Sequence, residues 1–588
     1  MYVREGSGMK SILRFLKWSH WALIAVMAVF ISLQVWLDLE IPGYMTRITI
    51  LLNSGGTADE ILAEGISMIG CSIGSVICSV AAGGFAAYVA SEFAKILRRK
   101  QFTKVQSFSP EEMSRFDIYS LITRSTNDVT QVQLAVARTS QLVVKVPVMV
   151  YIALSKVATG SWEWTEVTAI GIIAIVIVQI FALGYVIPRY RRVQKFTDGM
   201  NRTVRESLSG VRVIRAFNAD DYQNAKADKA NDELTENNLF ASRLLAFTRP
   251  FNGVVQNILT VAIYLLGAEI ILASATYEDA LTVFSNMIVF SSYVLYVVSS
   301  FILLAHVAMG LPRALVSARR INEVINTDIR VLNGDRKDSE DTDVCISFKD
   351  VSFAYPDSKG DTLTDITFDV RRGETVAIIG QTGSGKTSLI NLIPRMFDAT
   401  GGTVTIDGID AKDYDLDFLR SKIGFATQKP VLFSGTAGFN IGYGCEDCTE
   451  DRLWESARVA CIDTFLKSKD GMSTKIEQMG ANLSGGQKQR LSIARAVCKK
   501  PEIYIFDDTF SALDFKTDVN VRRNLRKETS GSTIIIVSQR IGTIADADRI
   551  IVLSDGRIVG NGKHDELLRT CEIYREMAKI QGCMEVSS

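Results

Sequence analysis

Hydrophobic and polar positions divide the chain into two halves with different periodicities. In residues 1–325 apolar residues run in long blocks. Six of these, over 20–40, 64–90, 135–158, 165–188, 250–273 and 281–308, reach the length of about 20 apolar residues that a bilayer-spanning helix needs. The segments between them, such as 91–107 and 196–245, are polar, alanine-rich and nearly free of proline, so the second to fifth spans are expected to continue as helix beyond the bilayer. From residue 340 onward short β-branched runs alternate with helical stretches and glycine turns, the pattern of a soluble α/β domain. Between the halves lies NTDIRVLNGDRKDSEDTDV, residues 326–344, polar enough to be a solvated linker. The expected fold is two-domain: an all-α six-helix transmembrane domain over 1–325, a linker over 326–344, and an α/β domain over 345–588.

Charge orients this arrangement. The connections NSGGTADE (53–60), ATGSWEWTE (158–166) and ASATYEDA (273–280) contain no Lys or Arg, whereas Arg98-Arg99-Lys100 and Arg189-Tyr190-Arg191-Arg192 lie at the opposite span ends. The excess of basic residues marks the cytoplasmic side, so both termini and the α/β domain are expected in the cytoplasm of a multi-pass protein of the cytoplasmic membrane. The first residues, MYVREGSGMKSILRFLKWSH, are basic and amphipathic without a small-residue cleavage site, and are expected to form a helix along the membrane surface.

Composition agrees with a membrane part joined to a soluble one: 588 residues, 47% hydrophobic and a mean hydropathy of +0.16. The formal net charge of +0 gives no ground for a nucleic-acid partner. The nine cysteines show no framework spacing. Cys445 and Cys448 form a CxxC without a second Cys or His pair, and read as part of a cytosolic loop. Trp18, Trp21, Trp36, Trp162 and Trp164 fall near expected membrane interfaces and read as an anchoring belt, and AAGGFAA (81–87) reads as a close-packing stripe. Arg138, Lys145 and Lys156 lie in the third span at separations of 7 and 11 residues, which puts them within about 20–40° on one helix face. Asp38, Glu40 and Arg47 lie in the first span and Glu269 in the fifth, so the three are a basic stripe along a cargo path, members of an internal ion-pair set, or charges snorkelling to an interface.

The candidate chemistry lies in the soluble half. TVAIIGQTGSGKT, residues 375–387, is an apolar strand running into Gly380, Gln381, Thr382, Gly383, Ser384, Gly385, Lys386 and Thr387, with a helical stretch from Ser388 onward. This is a phosphate-binding loop in the strand–loop–helix context it requires. Glycines let backbone N–H groups point at phosphate oxygens, Lys386 reaches the β- and γ-phosphates of ATP, and Thr387 ligates Mg²⁺. A second apolar strand, Ile503–Phe506, ends in Asp507-Asp508, and a carboxylate there can hold the Mg²⁺ shell.

Between these motifs stands Leu483-Ser484-Gly485-Gly486-Gln487, followed by KQRLSIARA. This resembles the signature of the ABC ATPase family. The rest of that family's pattern falls in order. Tyr355 is similar to the aromatic that stacks on adenine, Gln428 to the glutamine that binds Mg²⁺ and faces the membrane domain, and Ser511-Ala512-Leu513-Asp514 to the D-loop. The membrane half resembles the exporter type of the family, through SLITRSTNDVTQVQ (120–133) and ESLSGVRVIRAFNADDYQ (206–223). The likeness implies short coupling helices near 109–117 and 217–224, the second resting on a partner's ATPase domain.

Three positions depart from the family's pattern. Its water-polarising glutamate is replaced by Asp508, its γ-phosphate histidine by Gln539, and the acid before its signature by Gln478. The binding parts are complete while the hydrolytic parts are altered. The resemblance therefore implies the degenerate-site half of a heterodimeric ABC exporter. Its partner would be a second, different half-transporter with the full Glu and His, and its cargo a small molecule or peptide. Alternatives are a homodimeric exporter with weak ATPase, an ATP-gated channel or regulatory subunit, and an exporter-fold importer of a chelated metal.

Overall fold

A computed structural model describes residues 11–158, 162–274, 276–356, 358, 360 and then 361–582. The expected N-terminal surface helix lies mostly outside the described residues; the described part begins with a short helical turn at 11–13. The chain separates into two compact units. One holds the residues up to Gln106 together with Ile118–Thr327, the other Ser107–Asp117 together with Asp328 onward.

The first unit is built from long helices: Trp18–Asn53, Ala58–Gln106, Val129–Val157, Trp162–Ser209, Asp220–Ala273 and Tyr277–Ile325. Among the described residues five stretches are long and apolar enough to cross a membrane. The remaining expected span, 165–188, falls in helix Trp162–Ser209, where the described apolar stretch is Trp164–Val178. The 54-residue helix Asp220–Ala273 is about 80 Å long at 1.5 Å per residue, against a hydrocarbon core of about 30 Å. Most of its length therefore projects as polar helix, as expected from its sequence.

Packing revises several expectations. The first two helices meet through Met27, Ile31, Val35 and Leu39 against Ala82 and Ala86. In AAGGFAA it is thus the i, i+4 alanine pair that allows close approach; a Cβ on Gly83 or Gly84 would meet nothing within 4 Å. Trp18, Trp21 and Trp36 are exposed, as interface anchors require. Trp164 is instead buried, edge-on to Phe290 at 4.8 Å, and the Trp162 side chain lies outside the described residues. At the expected 217–224 the structure has no separate short helix: the short helix is Val211–Ala216, and residues 220–224 already form the first turn of the next long helix.

Among the described residues, Lys156, Arg47 and Asp38 of the apolar part have partners. Lys156 donates to Glu40 at 2.7 Å and Arg47 to Glu64 at 2.9 Å, and the Ser75 hydroxyl donates to Asp38. Desolvating an ion is costly unless it is paired, so Lys156 reads as an ion-pair member. Arg138 is exposed and Lys145 half-buried on the same helix.

The second unit carries a six-stranded sheet in the order 557–562, 549–554, 375–380, 533–537, 503–507, 423–426, parallel apart from the 557–562 edge. An antiparallel sheet built on Val344–Phe353 and Leu363–Arg371 packs into the same core through Phe348, Ile366, Ile378 and Leu389. A helical portion forms a second core with Ala437, Ile441, Leu491 and Phe506.

The five-residue helix Pro110–Ser114 belongs to this unit; Glu111 pairs with the Arg330 guanidinium at 2.6 Å, and Glu112 makes the buried attachment. Buried Glu112 accepts the Ser109 N–H at 2.7 Å and hydroxyl at 2.5 Å, and its other oxygen accepts the Arg330 N–H at 3.0 Å. Burial by itself would raise the Glu112 pKa, but these bonds outweigh it and hold the carboxyl below the ordinary glutamate value. Its stabilisation is therefore present above the unfolded-state pKa and is lost as pH falls through the depressed folded value. Glu112→Ala would leave those donors unmet at about 1–3 kcal/mol. Hydrogen exchange at the Arg330 amide should accelerate roughly 5- to 150-fold at neutral pH; unchanged protection would show that the carboxylate does not hold this segment.

Candidate nucleotide-binding site

The parallel sheet brings the sequence motifs to one edge. Gly380, Asp507, Val537 and Ala426 end four of its strands, and the register pairs Val537 with both Ile378 and Asp507. The residues that follow, 381–385, 508–511, 538–540 and 427–429, thus share the carboxyl-terminal side of the sheet, where open α/β folds bind ligands.

The loop from Gly380 to Thr387 is backbone-limited. Gly383 and Gly385 have φ of 88° and 97°, a region side chains disfavour. Gln381, Thr382 and Gly383 are exposed at its top, while Ser384 and Lys386 are buried. The Lys386 ammonium donates to the carbonyl oxygens of Gly380 at 2.8 Å and Gln381 at 2.7 Å. Burial pushes its pKa down, opposed by the carboxylates of Asp508 and Asp507. The lysine is thus tethered inside the loop it serves.

Asp507 is buried at its strand end and accepts the Thr387 hydroxyl at 3.2 Å. Burial raises its pKa, the Thr387 hydrogen bond lowers it, and neighbouring Asp508 raises it again. A buried carboxylate destabilised in this way, beside a hydroxyl, fits a hard divalent cation, which takes oxygen ligands and offsets the charge. Thr387, Asp507 and Gln428 are the residues that would hold Mg²⁺.

Asp508 takes the left-handed conformation, φ 44°, and its N–H donates to Val537 at 2.9 Å. Its Oδ2 accepts Gln428 Nε2 at 3.2 Å, whereas Oδ1 is buried with no hydrogen-bond partner among the described residues. An unmet buried carboxylate oxygen is costly, and here it faces Asp507 and Lys386 electrostatically.

The other expected site residues are placed as follows. The Tyr355 hydroxyl shares a 2.9 Å hydrogen bond with Ser388, and its ring lies edge-on to Phe353 and Phe397. The Ser511 hydroxyl donates to the Asp508 carbonyl at 2.7 Å. Asp514 caps helix Phe515–Glu528. Leu483 is buried, and Ser484 and Gln487 form a reciprocal capping box at the start of helix Gly485–Cys498. They occupy a separate element, and Gly486 passes against the carbonyl of Ala512. Gln478 is exposed, and so is the Gln539 side chain.

Two residues escaped the sequence reading. Gln581 donates from Nε2 to the Gln539 carbonyl at 2.7 Å and accepts the Ile541 N–H at 2.8 Å, so the C-terminal helix end clamps the loop after strand 533–537. Arg540 donates to the Ser511 carbonyl at 3.0 Å. Both act through backbone atoms, which leave no sequence signature.

Residues 24–294 match the family described as ABC transporter transmembrane region, and residues 363–511 the family described as ABC transporter. An ABC transporter ATP-binding protein of Mycobacterium tuberculosis is 37% identical over 533 residues, 90% of each chain. A probable multidrug resistance ABC transporter ATP-binding/permease protein of Bacillus subtilis is 32% identical over 83% of each. In fold, the chain is similar to a bacterial Atm1-family ABC exporter with ATP bound, with a TM-score of 0.81, 21% identity, and 98% and 99% of the two chains covered.

Replacing Lys386 by Ala should remove a charge-assisted contact worth about 2–5 kcal/mol and weaken Mg·ATP binding at least about 30-fold in an equilibrium titration. Unchanged affinity at an unchanged melting temperature would show that nucleotide does not bind at this loop.

Proposed function

The chain belongs to the ABC transporter family, and we propose that it is the degenerate-site half of a heterodimeric exporter in the cytoplasmic membrane, with its ATP-binding unit in the cytoplasm. The observation that carries this reading is the contrast at one sheet edge. The phosphate loop, Lys386, Thr387 and Asp507 form a connected set, while the groups meant to direct water are short or withdrawn. Asp508 is one methylene shorter than the family's glutamate and keeps one oxygen buried. Catalytic groups lose much of their effect when displaced by about 1 Å. At position 539 an exposed glutamine stands where the family has a histidine.

In this reading Gly380–Ser388, Tyr355 and Gln428 bind Mg·ATP and turn it over slowly. Ser484–Gln487 complete the competent site on a different partner chain, with Ser511 and Asp514 at the junction. Mg²⁺ supplies charge neutralisation at the phosphates when bound. The chain's own residues position the triphosphate: the loop amides and Lys386 fix it, and Thr387 and Asp507 orient the cation. Coupling through Pro110–Ser114 then turns closure of the ATP-binding units into outward opening of the spans. Small or amphipathic cargo fits the likeness to the probable multidrug resistance transporter of Bacillus subtilis, and Arg138 and Lys145 are the candidates to face it. Lys156 is the weaker candidate because Glu40 neutralises it.

The test is ATP turnover in nanodiscs. The wild-type chain alone should hydrolyse ATP slowly. Asp508→Glu combined with Gln539→His should raise kcat at least about 10-fold, within the range of general-base contributions, with little change in nucleotide affinity. Rapid turnover by the unaltered homodimer, insensitive to the double substitution, would overturn the proposal.

A further inference from the structure

Away from the nucleotide site the fold gathers three thiols that are scattered in sequence. Cys445 and Cys448 lie in the loop between helices Ala437–Ile441 and Glu450–Val459, and Cys498 ends the helix that begins at the signature. Their Sγ atoms lie within 4.8 Å of one another. Cys445 and Cys448 are disulfide-bonded, and Cys448 Sγ stands 3.2 Å from Cys498 Sγ. Cys498 is fully buried and the other two are half-buried.

Both elements are fixed independently of the sulfurs. The Thr449 side chain caps the helix after the loop by accepting the Arg452 N–H. Next to Cys498, Lys499 donates to the carbonyl of Ile423 at 2.9 Å. The thiols are therefore held together by the surrounding fold, so cleavage of the disulfide would leave three adjacent soft donors in place.

We propose that, once the disulfide is reduced, Cys445, Cys448 and Cys498 bind one thiophilic d¹⁰ cation, with three-coordinate Cu(I) preferred over Zn²⁺. Thiolate ligands select soft ions. A structural zinc site normally closes with a fourth Cys or His, and the one histidine of this unit, His564, is hydrogen-bonded to Tyr574 instead. The chemistry balances with a dithiol as the named reductant. It delivers two electrons and two protons to the Cys445–Cys448 bond, giving two thiols, and is itself oxidised to a disulfide. The cation then displaces the thiol protons to solvent. Burial pushes the Cys498 thiol up, whereas Ser456, Arg452 and Lys500 pull it down. The two cations would offset the charge of three thiolates, and binding should weaken as pH falls. The bound ion would staple loop 442–449 to the far end of the 14-residue signature helix.

The test uses the full chain, purified in detergent, reduced, desalted and titrated with Cu(I) against a chromophoric chelator, and separately with Zn²⁺. Reduced wild type should bind one tight equivalent of Cu(I), with a thiolate-to-metal absorption band. Oxidised wild type should bind none at this affinity. Cys448→Ser and Cys498→Ala should each weaken it at least about 100-fold, more than the loss of a supporting group, while Cys345→Ser leaves it unchanged. Mg·ATP affinity reports that each variant is folded. Tight binding that survives Cys498→Ala would overturn the three-thiol site. So would reduced wild type that binds no tighter than the Cys448→Ser variant, or binding equal in oxidised and reduced protein.

Discussion

A buried ammonium beside one buried and one half-buried carboxyl group governs the ATP-binding unit. Lys386 begins the helix after strand 375–380, and Asp507 and Asp508 stand at the end of strand 503–507, two places along the same sheet. Asp507 and Asp508 favour the charged lysine, and Lys386 favours the charged Asp507, while burial opposes both and Asp508 opposes the charge on Asp507. Desolvated charges persist only when paired or liganded. The lysine ties itself to loop carbonyls and Asp507 accepts Thr387, leaving an excess of negative charge at the strand ends. A magnesium ion fits that excess, and a triphosphate brings its own charge to the amides of the loop.

The membrane unit meets the same constraint in a poorer solvent. A helix satisfies its own backbone polar groups, so the sequence need only supply apolar length. Side-chain charges have no such remedy and must find partners across helices. Lys156 reaches Glu40 and Arg47 reaches Glu64. An ion pair 116 residues apart in sequence is a tertiary event, and it turns one member of an apparent basic stripe into a neutral cross-link.

Side chains that reach backbone atoms link the strand ends to their surroundings. Gln581 holds the loop that contains Gln539, Arg540 reaches Ser511, and Ser511 holds Asp508. Arg540 and Gln581, which the family pattern does not mark, thus hold the backbone of residues beside this edge. The cysteine cluster occupies the opposite end of the signature helix, where loop and helix meet.

Much of this was legible in sequence for local reasons. A phosphate loop needs contiguous glycines, a lysine and a hydroxyl, so Gly380–Thr387 announce it. Apolar blocks of about twenty residues announce helices, because backbone hydrogen bonding in lipid allows little else. The strand–Asp pattern at Ile503–Asp507 and the signature at Leu483–Gln487 are equally contiguous. What sequence could not decide was which distant groups would meet. That Trp164 packs inside, that the alanines of 81–87 and not its glycines carry the contact, that Glu112 ties Pro110–Ser114 to Arg330, and that Cys498 joins a CxxC 50 residues away all depend on long-range packing. The sequence by itself determined which elements form and where a triphosphate would be gripped, because those depend on neighbouring residues. Only the tertiary structure decided which charges are cancelled, which oxygen of Asp508 is buried and which thiols converge, because burial and pairing are properties of the packed chain.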